Sequence, residues 1–561
     1  MLLDFLQQFI YAGLFFLGMA GVGYLILRSL GYNRENPFLD LSLAYFTSLC
    51  LYTIFIVAGL FIAPDKRGDL LISTLVYGVA SFSVIAYRLK QGASTFKDSL
   101  ARNRGFATSF LLMLSLAVFL FFLQIYHTAV LDEWLHRPVV QSFVDNGVFP
   151  LVNPLDPESD YIETYHYGTQ VIAAALQLVF RLDVPVSLDL LKLSYFIATF
   201  FLFYGLIFSW TKKRHLSLAA AVLVLFSGSS FFFLDSFTAS HLISFKGWGL
   251  AEGERWPINA ALSYILTGIT WVNIPLVIAF GVLFEQISLG LIQRLRLIPI
   301  LLVSVLFSGF YLISELFLAV LLVALLPYLL YICYCSGQLS RAVGAAFLVL
   351  VFLFFGVYFS GGVIGNILQE KVACITGLDC ITFSPAPESS LADEAEDVVN
   401  LQRTAASFMV PRPVGLWGYP SEKRILVIWD RPWYYFRTLF LEAIIVLLIA
   451  YTAYKNIYIW KDHPILSSIL VIGLIGPFFF STMFGNLNFS KTLTVSLTLL
   501  HLFIFYLMTR LPLRKWSAGV LIAILALGSL SGFLIGSNIQ WQWISNKGKS
   551  QYCSQNPLCD D

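Results

Sequence analysis

The segment Tyr126–Gly168 reads YHTAVLDEWLHRPVVQSFVDNGVFPLVNPLDPESDYIETYHYG, and it interrupts apolar sequence on both sides. A long apolar run ends where it begins. Asp132 and Glu133 follow within a few residues, and His136 and Arg137 come one helical turn later. Gly147 to Pro150 read as a helix stop. An acidic segment from Asp156 to Glu163 and the aromatic-histidine cluster Tyr165-His166-Tyr167 complete the stretch. Ionisable groups this dense, held between apolar runs, mark the place where chemistry is expected.

Composition explains why the interruption matters. The chain has 561 residues, of which 58% are hydrophobic and 12% charged. Its mean hydropathy is +0.79. Soluble domains carry about 25% charged residues. Several apolar runs exceed the ~20 residues that cross a bilayer as a helix. The expected fold class is therefore an all-α polytopic membrane protein, and barrel strands, which are short and alternating, are excluded. The first apolar run follows Asp4 rather than a basic cluster and has no small-residue cleavage site, so it reads as a retained span. The net charge of +2, without a basic patch interleaved with aromatics, gives no support to nucleic acid as a partner.

Apolar runs give about fourteen candidate spans. Four precede the acidic loop, the last being Phe106–Tyr126. Later ones include Leu188–Trp210, Val272–Leu291, Leu297–Ile313, Phe317–Tyr334, Ile465–Phe484 and Leu493–Leu507. The 88–104 loop carries Arg88, Lys90, Lys97, Arg102 and Arg104, so the positive-inside rule makes it cytoplasmic. The next span then delivers Asp132 to the opposite side. The connections 211–215, 294–296, 336–341, 455–463 and 510–515 agree as cytoplasmic. Thr169–Phe180 is apolar but short, which suits an interfacial or re-entrant helix.

This organisation divides the chain into an N-terminal four-span region (1–126), a first extracytoplasmic loop with interfacial helices (127–187), a central bundle (188–360), a second large extracytoplasmic loop (361–435), a C-terminal bundle (436–535) and an extracytoplasmic tail (536–561). Of seven cysteines, Cys374 and Cys380 share the second loop, and Cys553 and Cys559 share the tail. Two close pairs on the outer side read as two disulfides, which persist in an oxidising compartment. The competing account is four free thiols.

Candidate site residues are weighed against plainer roles. Asp132 and Glu133 point about 100° apart on a helix, so one faces a cavity and the other caps or pairs. A carboxylate against a low-dielectric wall gains basicity and suits a general base; the plain alternative is an N-cap. His136, four residues after Asp132, shares its face and could pair with it or join it on a divalent cation. Arg137 could hold a phosphate or anchor at headgroups. Tyr165 and His166 stand where the loop re-enters the membrane, as substrate contacts or as an aromatic belt. Glu315 lies between two apolar runs, facing a cavity or sitting in an outer turn. Asp235 and Glu254 are weaker carboxylates of a third outer loop. Arg431 among aromatics and the isolated cation Lys491 could hold a lipid phosphate. No phosphate-binding glycine loop, nucleophile elbow or metalloprotease helix occurs.

The run DEWLHRPVVQSFVDNGVFP, followed by HYGTQVIAAAL, resembles the loop-and-return sequence of bacterial members of the GT-C class of integral-membrane glycosyltransferases. The resemblance is specific over Leu131–Leu176 and architectural elsewhere. It implies a sugar donor on a polyprenyl phosphate, a glycan, lipid or protein acceptor, and a site on the extracytoplasmic face of the bacterial plasma membrane. Asp132 matches the acidic position that acts as base or binds a cation, with Glu133 second. A divalent cation, Mg or Mn, is implied for some members, with Asp132, His136, Asp235 and Glu254 as the candidate ligands here. Four spans before the acidic loop, rather than one, depart from the usual plan. The alternatives are a lipid-linked oligosaccharide polymerase or ligase, a transporter, and a non-catalytic subunit of a membrane complex.

Overall fold

The computed structural model describes residues 2–32, 36–62, 66–91, 104–124, 133–145, 167–226, 273–293, 296–337, 339–360, 410–411, 440–454, 459–481 and 487–510, with short stretches between 519 and 530. The described chain is almost entirely helical. In order, the helices are α1 (Leu2–Ser29), α2 (Pro37–Ile62), α3 (Lys66–Gln91), α4 (Arg104–Gln124), α5 (Glu133–Asp145), α6 (Gly168–Phe180), α7 (Val184–Thr211), α8 (Arg214–Phe226), α9 (Asn273–Gln293), α10 (Leu297–Ile313), α11 (Glu315–Ser336), α12 (Leu339–Ser360), α13 (Phe440–Tyr454), α14 (Ile459–Asp462), α15 (Pro464–Phe479) and α16 (Leu487–Arg510). Among the described residues five stretches are long and apolar enough to cross a membrane: Phe9–Ser29, Pro37–Gly59, Gly68–Tyr87, Val184–Thr211 and Glu315–Ile332.

Helices α2 and α7 form the centre. Helix α2 packs against α1, α3, α7 and α10, and α7 against α1, α2, α6, α8 and α16. The contacts join backbones through small residues and hydroxyls, as apolar helices without a hydrophobic driving force between them require. A Cβ on Gly309 of α10 would overlap the Cys50 carbonyl of α2, so that crossing exists only with glycine there. Ser42 donates to the Ala198 carbonyl at 2.8 Å, Tyr45 pairs with Ser194 at 2.5 Å, and Ser48 pairs with Tyr77 at 2.7 Å. Each buried hydroxyl thus ties α2 to a neighbour instead of being stranded in hydrocarbon.

Three local features position the functional regions. First, α10 and α11 meet at one extended residue, Ser314 (φ −164°, ψ 104°), which breaks the apolar run where the sequence placed a polar turn. Second, α6 is buried from Gly168 to Leu176. It inserts among α2, α3, α5, α7 and α10. A helix lying on a membrane surface would expose one face, and residues 168–176 of α6 expose none. Third, Val410–Pro411 (β1) pairs antiparallel with Phe480–Ser481 (β2). That joins the second large loop to the C-terminal end of α15, away from its start at Pro464.

Candidate functional site

Helix α5 carries the first-loop sequence that follows Asp132. It begins at Glu133, and His136 falls in its first turn. Val140 and Val144, three and seven residues after Arg137, are both buried, so Arg137 starts the packed face of the helix. Phe143 meets Tyr167 at a ring-centroid distance of 6.1 Å. Helix α5 therefore lies against the start of α6 and against α7.

At this junction α7 offers two charges inside an apolar sequence. Asp189 and Lys192 are 3% and 4% exposed, and Lys192 Nζ lies 3.7 Å from Asp189 Oδ1. Burying ions in hydrocarbon is costly, and a partner of opposite charge one turn away offsets part of the cost. Arg137, on the neighbouring helix α5, is half-buried. Burial pulls its guanidinium below the usual arginine range, and the Asp189 carboxylate opposes that shift. Arg137, Asp189 and Lys192 thus form one charged cluster spanning α5 and α7.

The return of the loop is held at a second point. Tyr167 is 4% exposed, and Glu315, the first residue of α11, is 5% exposed. Burial raises the Tyr167 phenol well above its usual range, and the nearby Glu315 carboxylate pushes in the same direction. A carboxylate in the first turn of a helix is favoured by the helix dipole. Beside it, a Cβ on Gly168 would come 2.9 Å from the Leu312 carbonyl and 3.0 Å from Thr53 Cγ2. The loop therefore enters over α7 and returns onto the α10–α11 elbow, with a charged or phenolic side chain at each root.

Of the sequence candidates, the structure describes the side chains of two: Arg137, beside Asp189, and Glu315, beside Tyr167. Asp132, Tyr165, His166, Asp235, Glu254, Arg431 and all four cysteines of the two pairs, Cys374, Cys380, Cys553 and Cys559, lie outside the described residues. Glu133, His136 and Lys491 are described by their backbones, and their side chains lie outside. Among the described residues no three His, Cys, Asp or Glu side chains converge as a metal site would require. Asp189 and Lys192 were absent from the sequence candidates. Their signal was present: opposite charges at i and i+3 within an otherwise apolar 28-residue helix.

A second polar network sits at the other end of α7 and was also unforeseen. Trp210 Nε1 donates to His463 Nε2 at 2.8 Å. That bond leaves the proton on Nδ1, which donates to Glu285 Oε2 at 3.0 Å. Glu285 Oε1 accepts from the Ile465 and Leu466 amides at 3.1 and 3.0 Å, so a side chain of α9 caps the start of α15. Tyr506 donates to Asp462, and Arg510 donates to the same carboxylate oxygen at 2.8 Å. This end also carries Lys212, Lys213 and Arg214. It is the end that the basic loops assign to the cytoplasm.

No family model, no curated protein and no solved structure matches the chain.

Proposed function

We propose that the chain is an inverting GT-C-type membrane glycosyltransferase that moves a sugar from a polyprenyl-phosphate donor to an acceptor hydroxyl on the extracytoplasmic face, in a bacterial plasma membrane. The observation that supports this reading best is the buried cluster of Arg137, Asp189 and Lys192 at the root of the loop that resembles the family. Charge is retained there at a cost in burial, next to the segment bearing the acidic pair.

In this reading the donor's lipid tail lies in the bilayer and its phosphate meets outer cations, Arg431 first and Lys491 second. Asp132 accepts the proton of the acceptor hydroxyl, with Glu133 as the second choice of base. The acceptor oxygen bonds to the anomeric carbon from the face opposite the phosphate. The bond from that carbon to the phosphate oxygen breaks, and polyprenyl phosphate leaves with the electron pair. Cations near the leaving oxygen stabilise its growing charge. His136, Arg137, His166, Tyr165 and Glu315 serve as substrate contacts in this reading. A divalent cation, where one is needed, would be held by Asp132, His136, Asp235 and Glu254 and would supply positive charge to the phosphate.

The test is transfer from defined polyprenyl-phosphate sugars by purified protein in lipid nanodiscs. Asp132→Asn is expected to keep the wild-type unfolding temperature and to lose about a thousandfold in rate. Full transfer by that variant removes Asp132 from the role of base. A second reading, transport of a charged solute, draws on Asp189 and Lys192 inside α7. It predicts substrate flux across proteoliposomes and no sugar transfer.

A further inference from the structure

Helix α5 is short, with 13 residues. A helix of that length does not hold its own position in water, and packing must supply it. Its apolar holdfast, Val139, Val140, Phe143 and Val144, lies in the half remote from Asp132. Arg137 is the described side chain closest to the start of α5. What Arg137 rests on therefore governs the half of the helix adjoining the acidic pair.

Across the contact between α5 and α7, Arg137 lies within electrostatic reach of a prebuilt charge pair. Lys192 Nζ lies 3.7 Å from Asp189 Oδ1, and the same carboxylate favours the charged form of Arg137. Lys192 lies close enough to feel the Arg137 charge. A carboxylate has lone pairs enough for two cations. Helix α7 is buried from Ser187 to Ile207 and packs on α1, α2 and α6, so it is a fixed platform.

We propose that Asp189 is a positioning residue whose carboxylate, shared between Lys192 of α7 and Arg137 of α5, docks the first-loop helix and sets the placement of its start at Glu133. The proposal rests on the transferase reading for its consequence in turnover, and on the structure alone for the docking. The docking lets α5 settle in one register on α7. Asp189 touches no substrate and acts through Arg137.

The experiment measures hydrogen exchange of the 133–145 and 168–180 amides in full-length protein in nanodiscs. Asp189→Asn and Arg137→Gln should each speed exchange over 133–145 about tenfold, as loss of one charge-assisted contact predicts. The double variant should be no faster than either single one, exchange over 168–180 should stay at the wild-type rate, and Asp189→Glu should restore protection. Since Asp189→Asn leaves Lys192 buried without that carboxylate, Asp189→Asn/Lys192→Met provides a second variant in which both charges are removed. It should show the same fast exchange over 133–145. Wild-type protection of 133–145 in these variants overturns the proposal, as do additive effects of the Arg137 and Asp189 changes or equal loosening of 168–180. Once transfer is measurable, Asp189→Asn should lower kcat and leave KM for the lipid donor within about twofold, since uniform binding is untouched. Exchange as expected with no transfer by the wild type sinks the transferase reading and leaves the docking intact.

Discussion

The two ends of α7 solve opposite problems. At the Trp210 end one carboxylate, one neutral imidazole and one indole match donor to acceptor, and Glu285 spends both oxygens on the start of another helix. At the Asp189 end three formal charges from two helices crowd together. The first arrangement gains fold stability by completing backbone hydrogen bonding. The second concentrates charge where hydrocarbon penalises it, which an apolar pair of equal volume would avoid. Stability therefore should be read at the Trp210 end and activity at the Asp189 end.

Substitutions can break that division or sharpen it. Glu285→Ala carries the largest expected loss of stability, about 3 kcal/mol, since it strips the His463 partner and two helix amides together. Urea or thermal unfolding in detergent measures it, and Glu285→Gln should retain part of the effect. Gly168→Ala comes next, at about 1–2 kcal/mol, because its Cβ presses on the rigid Leu312 carbonyl. Its mark should be a displaced loop return, read as altered exchange near Tyr167 and transfer reduced beyond what the stability loss explains. Trp210→Phe keeps an aromatic side chain but loses the indole's five-membered ring and its hydrogen bond, for about 1–2 kcal/mol and no change in transfer. A sharp loss of transfer in Trp210→Phe would mean that the two ends are coupled, and the division would fail. Arg510→Gln is the smallest change, within about 0.5 kcal/mol, since the Arg510–Asp462 pair is half exposed and screened.

Much of this was legible along the chain, and the reasons are local. The α10 boundaries match the apolar run Leu297–Ile313, because hydrocarbon length and a polar turn are both written in consecutive residues. The break before Glu315 and the helix at Thr169–Phe180 were visible for the same reason. The depth of α6 was not, because its sequence does not say which neighbours cover it. Glu285 and His463 are 178 residues apart, and no spacing rule connects them. Asp189 and Lys192 could have been noticed as a charged i, i+3 pair, but their link to Arg137 depends on how α5 lies. The acidic pair itself was singled out by local composition, and what it does depends on side chains brought from elsewhere in the chain.

The capping of α15 by Glu285 has a consequence for biogenesis. The carboxylate is made with α9, while the amides and imidazole that receive it are still unsynthesised. Until the ribosome has added the 178 residues that separate Glu285 from His463, α9 must carry its acid in some other company. A truncation ending before His463 therefore leaves a buried acid with its native partners missing, a defect that quality control can recognise in α9 although nothing in α9 has changed.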